Sequence, residues 1–166
     1  HTATMQIRHK NREIYFREQA ECTQKYVIPY IEQVLCIKPN LRVLEIGCGE
    51  GGNLKPFLDV GCHCVGIDID IAQLEKAKAF FANHSLNKNL RLIANDIYKV
   101  SPNEIGNFDL IILRDVIEHL PNQEVFMHQL KCFMHSESVV FFGFPVWCNP
   151  FGGHQQICRS KWLSHT

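Results

Sequence analysis

Residues 42–53 read Arg-Val-Leu-Glu-Ile-Gly-Cys-Gly-Glu-Gly-Gly-Asn, and this stretch constrains the chain more than any other. Leu41 to Ile46 is an apolar run broken by one acid, which predicts a short buried strand. Gly47, Gly49, Gly51 and Gly52 follow at once. Lys55 to Val60 then predicts a short helix, with Pro56 tolerated only in its first turn. Strand, glycine turn and helix in that order open a doubly wound α/β domain with a largely parallel sheet. Glycine permits positive φ and lets a ligand approach the backbone closely. Such a density of glycine exceeds what the packing of a tight turn needs.

The rest of the chain keeps the alternation. Residues 11–37 have helical character, with Ala20, Thr23, Val27, Ile31 and Val34 at helical spacing. Pro29 falls inside the run, so a kink or two helices is expected. Tyr15, Phe16 and Tyr26 on this stretch either cover a ligand or pack into the core. Cys62 to Ile67, Leu90 to Ala94, Phe108 to Leu113 and Ser138 to Phe144 are the remaining strands. Helices are expected over Ile71 to Asn83 and Glu124 to Met134, and Pro102 to Asn107 is expected to be loop. Asp70 followed by Gln73 fits a capping box, which leaves Asp68 free at the end of its strand. A single domain is expected over 1–166: a helical cap over 1–40, a ligand-binding core over 41–144, and an active-edge loop over 145–166. Right-handed crossovers bring Gly47, Asp68, Asp96 and Arg114 to one sheet edge, where open α/β sheets bind ligands.

Charge and cysteine content narrow the partners. Lys plus Arg, at 17, equals Asp plus Glu, so there is no electrostatic case for nucleic acid or an anionic membrane surface. No apolar run approaches a membrane span, and no secretory signal is visible at the N-terminus. The eight cysteines form no Cys-x-x-Cys pair, which argues against a zinc ribbon. Free cysteines at core-like positions suit a reducing cytoplasm. Cys62 and Cys64 share one strand face while His63 points to the other, against a shared metal.

The glycine turn fits two ligand classes. Gly47-x-Gly49-x-x-Gly52 satisfies the dinucleotide pattern, a weak signal by itself. Glu45 stands two residues before the first glycine and would repel a pyrophosphate; it suits a ligand carrying a sulfonium and an ammonium group. Asp68, at the end of the second strand, can accept from both hydroxyls of a ribose. Asp96, at the end of the third, can accept from an adenine amino group, with the Ile97 N–H donating to a ring nitrogen.

Over roughly residues 41–144 this set resembles the class I S-adenosylmethionine-dependent methyltransferases. Glu45-x-Gly47-x-Gly49-x-Gly51, Val65-Gly66-Ile67-Asp68, Asn95-Asp96-Ile97, and Phe108-Asp109-Leu110-Ile111 through Asp115-Val116-Ile117-Glu118-His119-Leu120 stand in the family's order and spacing. The resemblance implies a Rossmann-like fold and S-adenosylmethionine as cofactor, with S-adenosylhomocysteine as product. It assigns Glu45, Gly47, Cys48, Gly49 and Gly51 to the cofactor at the turn, Asp68 to the ribose, and Ile69, Asp96 and Ile97 to the adenine. Arg114 is expected to contact the ligand through its backbone. The family's sheet has two further strands. Nothing after Phe144 reads as one, so the chain is expected to be a fragment or to end its ordered part early.

Methyl transfer from a sulfonium needs alignment and exclusion of water, and a hydroxyl acceptor also needs a base. His119 and His154 are the candidate bases, or else packing and loop-pinning residues. Asp115, Glu118 and His119 at i, i+3 and i+4 would share a face on a helical turn, similar to a cation-binding cluster of the ubiquinone-pathway O-methyltransferases, but no metal is assigned. Pro145 to Cys158, with Phe144, Trp147, Phe151 and Gly152-Gly153, is expected to border the acceptor. The expected function is methyl transfer to a small molecule at oxygen. An NAD(P)-dependent oxidoreductase, or a non-catalytic protein keeping the fold, is the alternative.

Overall fold

The structure, a computed structural model, describes residues 11–143. Helix α1 (Arg12–Cys22) is capped by Asn11, whose side chain accepts the Ile14 N–H. It runs into a π-helical turn, Thr23–Val27, and then a single-turn helix α2 (Ile28–Ile31). Pro29 accounts for the break: it has no N–H to give and its ring collides with the preceding turn of an α-helix. The wider π turn absorbs the misfit and sets buried Thr23 against Asn53, just past the glycine run. Regular helix therefore stops at Ile31, short of the expected Ile37.

The chain continues as β1 (Arg42–Ile46), α3 (Lys55–Val60), β2 (His63–Asp68), α4 (Ile71–Phe81), β3 (Leu90–Ala94), α5 (Pro102–Ile105), β4 (Phe108–Arg114), α6 (Gln123–Cys132) and β5 (Met134–Gly143). One sheet of order β3-β2-β1-β4-β5 results, and every neighbouring pair is parallel. The chain starts at the centre, winds out to β3 and returns through β4. The carboxyl ends of β1 and β4 are thus the switch point at which a crevice opens.

Alternation along the central strands sorts the core onto two faces. Val43, Leu110 and Ile112 pack with Phe16, Ile28, Leu54 and Phe57 on one face; Leu44, Ile46, Ile111 and Leu113 pack with Ile97, Phe126 and Leu130 on the other. Glu45 lies between Leu44 and Ile46 in β1, so it points to the first face, the one that α1 covers. Cys62 and Cys64 are buried and His63 between them is exposed, as their alternation requires.

Three local expectations need correction. The segment 102–107 is not all loop: Ser101 accepts the Asn103 N–H and Pro102 opens a one-turn helix. β5 begins at Met134 rather than Ser138, because Ser138 Oγ takes the His135 N–H and donates to Phe108 O across a bulge. The capping box at α4 is modified as well. Asp70 Oδ1 accepts the N–H groups of Ala72 and Gln73, but the Gln73 side chain returns to the Asp70 carboxylate, not to its backbone. Asp70→Ala is expected to lower the melting temperature by roughly 2–5 °C through the lost cap, with little change in ligand affinity. Thermal melts of the two proteins check it.

Candidate functional site

The glycine turn is fixed to the end of β2 before any ligand is considered. Gly47 N and Cys48 N both donate to Ile67 O, at 2.8 and 3.1 Å. Asp68 adds a clamp: its Oδ2 accepts the Gly49 N–H at 2.7 Å and its Oδ1 the Asp70 N–H at 2.9 Å. The sequence led us to expect a free Asp68; the structure instead engages it in both hydrogen bonds, although a carboxylate has lone pairs left for further donors. Gly47 has φ +73°, and a Cβ there would lie 2.4 Å from a methyl of Val116. No other residue fits that position without strain.

Beside this turn lies a cavity of about 350 Å³. Its walls come from three strand ends and the segment after β4: Gly47, Asp68, Ile69, Asp96, Ile97 and His119, with Ile46, Tyr98, Val116 and Leu120. Ile69 is 76% exposed, so a large apolar side chain stands open at the rim. Asp96 Oδ1 caps the next turn by accepting the Tyr98 N–H. The lining is apolar with two carboxylates set at separate strand ends, which suits a flat heterocycle joined to a polar sugar.

The remaining assigned residues do not line this cavity. Gly51 packs toward Phe81, and the Cys48 side chain is buried against Gly66. Burial raises the Cys48 thiol far above its ordinary range, with Glu45 and Asp68 adding to the effect, so it stays protonated. The Arg114 guanidinium turns into the protein: Nη1 donates to Asn53 Oδ1 at 3.0 Å and Nη2 reaches Cys22 Sγ at 3.4 Å.

Asn53 is the residue that the sequence did not reveal. Its Oδ1 accepts from Thr23 Oγ1 at 2.9 Å as well as from Arg114, and its Nδ2 donates to Glu45 Oε1 at 2.7 Å. One amide thereby ties together the π turn, β1 and β4 beneath the glycine loop. Glu45 is 1% exposed and its Oε2 has no partner. Burial pushes its carboxyl up to about 8, against the lowering effects of the Asn53 hydrogen bond and the Arg114 charge. The sequence offered an asparagine after a glycine run, but no spacing rule connects positions 23, 45, 53 and 114.

A second cavity, about 470 Å³, opens on the other side of the β4 end, lined by Tyr15, Gln19, Cys22, Tyr26, Arg114 and Asp115 among others. Phe16 is core, stacked on Phe80, while Tyr15 and Tyr26 face this cavity. A further cavity, about 690 Å³ between α1 and α3, holds none of the assigned residues. Asp115 has φ +54° and lies outside the 3₁₀ turn Ile117–His119, so it is not on the helical turn that the expected shared face requires. Among the described residues no group of three Asp, Glu, His or Cys side chains is placed to hold a metal ion. No helix among them is long and apolar enough to cross a membrane. His154 and the whole 145–158 segment lie outside the described residues, as does any strand beyond Phe144.

The comparisons agree with the geometry. The family model for a methyltransferase domain matches residues 16–147. A ubiquinone biosynthesis O-methyltransferase of Bartonella tribocorum is 25% identical over 125 residues, 69% of this chain and 49% of that protein. A sterol 24-C-methyltransferase of Gibberella zeae is 28% identical over 96 residues, 57% of this chain and 25% of that protein. The chain thus spans about half of the first and a quarter of the second. Among solved structures, Rickettsia typhi PKMT2 in complex with S-adenosylhomocysteine superposes with a TM-score of 0.63 at 24% identity, covering 75% of this chain and 26% of that one. Coclaurine N-methyltransferase bound to S-adenosylhomocysteine gives 0.61 at 18%, over 72% and 35%. With the strand order, the glycine turn and the family match over most of its length, the chain belongs to the methyltransferase domain family.

Proposed function

We propose that this chain carries the cofactor-binding core of an S-adenosylmethionine-dependent methyltransferase that acts on a small molecule, at oxygen. The observation that carries the reading is the convergence of Gly47, Asp68, Ile69, Asp96 and Ile97 on one cavity beside a fixed glycine turn. The residues fit the cofactor on three counts. Gly47 lines the cavity at a φ of +73°, which lets the backbone turn beside Val116 where a side chain would collide; Asp68 and Asp96 offer acceptors to ribose hydroxyls and an adenine amino group; and Glu45 holds an orphaned buried oxygen beneath the turn, suited to a nearby cation. When bound, the cofactor supplies an activated methyl group on a sulfonium. The chain's own part is to seat the nucleoside between Asp68 and Asp96, to cover it with Ile69, and to keep the Gly47 turn rigid through the Ile67 carbonyl.

His119 lines the same cavity, and we assign it the role of removing the proton from a hydroxyl acceptor, since a neutral imidazole nitrogen can accept it. The choice of oxygen draws on the likeness to an O-methyltransferase, beside likenesses to a C- and an N-methyltransferase. Six described cysteines are unpaired, which supports a reducing, cytoplasmic compartment. The test is methyl transfer from labelled S-adenosylmethionine to a panel of hydroxylated aromatics, sterols and amines. Label on a hydroxyl oxygen, with a loss in kcat of ~10²-fold or more in His119→Ala, is the expected result. Label confined to amines removes the oxygen assignment, and full activity in His119→Ala removes the base.

A further inference from the structure

We propose that Glu45 is a proton-exchanging specificity determinant: it carries a proton in the ligand-free protein and releases it when a nucleoside ligand with a cationic amino-acid end seats at the glycine turn. The proposal rests on the cofactor reading above. Four observations support it. Glu45 Oε2 is buried without a partner. Its Oε1 has a single donor, Asn53 Nδ2. Asn53 cannot turn to help the other oxygen, because Thr23 and Arg114 both donate to its Oδ1. Arg114, the nearby cation, directs its guanidinium to Asn53 and to Cys22 rather than to Glu45.

The charged and titratable groups facing Glu45 leave burial dominant. Arg114 on β4 favours the carboxylate, and Asp68 on β2 opposes it. Cys48 in the turn and Cys64 on β2 are thiols that burial keeps neutral. The π turn contributes Thr23 and Cys22, neither of them charged. The resulting carboxyl, at about 8, is protonated through the neutral range. A cation brought within ~4–6 Å favours the ionised form, so it need not touch the buried oxygen. The proton passes to the solvent and the ligand's ammonium faces a carboxylate. A nucleoside lacking the amino-acid end gives Glu45 no reason to ionise.

Calorimetry of the whole chain tests this with two probes, S-adenosylhomocysteine and 5′-methylthioadenosine, which keeps the nucleoside and the sulfur but has no ammonium. At about pH 6.5, in buffers of low and high ionisation enthalpy, S-adenosylhomocysteine is expected to release roughly one proton and 5′-methylthioadenosine none. Affinity for the first should rise by up to ~10-fold per pH unit and level off near the carboxyl's titration, because the bound state holds fewer protons. Glu45→Gln should abolish the release and reduce the preference for S-adenosylhomocysteine by ~10-fold or more. Binding without proton release in the wild-type protein, or equal release with both probes, overturns the proposal while leaving the cofactor reading intact. Absence of binding heat with either probe in every buffer would remove the cofactor reading, and this inference with it.

Discussion

Asp68→Ala is expected to lower affinity for S-adenosylhomocysteine by ~10²–10⁴-fold. Two charge-assisted hydrogen bonds to a ribose, at ~1.5–3 kcal/mol each, set that range. The structure adds a second consequence. Asp68 accepts the N–H groups of Gly49 and Asp70, so its removal leaves the Gly49 donor without a partner in a half-buried turn. That costs about 1–3 kcal/mol of folding stability, and the turn loosens at the position a ligand must approach. Titration calorimetry and denaturant unfolding separate the two effects. Unchanged affinity in a folded variant would take Asp68 out of the site.

Gly47→Ala has the second large expected effect, and here stability leads. The φ of +73° strains any residue with a Cβ, and the new methyl would lie 2.4 Å from Val116 Cγ2. Val116 is β-branched and has little rotamer freedom to retreat. Backbone strain and overpacking together are expected to cost roughly 2–5 kcal/mol. Val116 lines the nucleoside cavity, so the movement that relieves the clash also deforms the site, and affinity falls with it. Val116→Ala in the same chain should recover the clash and not the φ strain, which a double-mutant cycle separates. A Gly47→Ala protein as stable as the parent would mean that the turn does not hold the geometry described.

Glu45 illustrates the tension between stability and site chemistry. Its folded carboxyl titrates above its unfolded one, so the native state holds an extra proton between about 4.5 and 8. Stability is fully present below that window and is lost as pH rises through it, because the unfolded chain ionises first. A glutamine at this position removes the effect, so relative stability of the variant should grow with pH across the window. A buried acid with this cost suits a ligand-sensing role more than a packing one.

How much of this was legible in the sequence divides along range of interaction. The β1–turn–α3 unit, the Asp70 cap and the placement of Asp68, Asp96 and Ile97 at strand ends follow from local patterns: apolar runs, glycine clusters and capping residues. Boundaries of β1 to β4 fell within a residue of expectation for the same reason. The short helix at Pro102 was missed although Ser101-Pro102 is a start signal, because one turn gives no periodicity to read. The early start of β5 was hidden by His135, Ser136 and Glu137, polar residues that form a bulge and not a regular strand beginning. The Asn53 hub and the clamp by Asp68 depend on contacts across many residues of chain. Arg114 illustrates the same limit: the sequence put it at the ligand edge, and only the fold turned its guanidinium inward toward Cys22 and Asn53.

The central claim is that the crevice at the β1/β4 switch point takes an adenosyl amino acid. The most direct measurement is the melting temperature of the chain with S-adenosylhomocysteine and, separately, with NAD. At ~100 times its dissociation constant a ligand adds about 2.7 kcal/mol, which for a domain of this size raises the melting temperature by roughly 5–11 °C. That rise is expected with S-adenosylhomocysteine and none with NAD. Stabilisation by NAD, with S-adenosylhomocysteine inert, would contradict it.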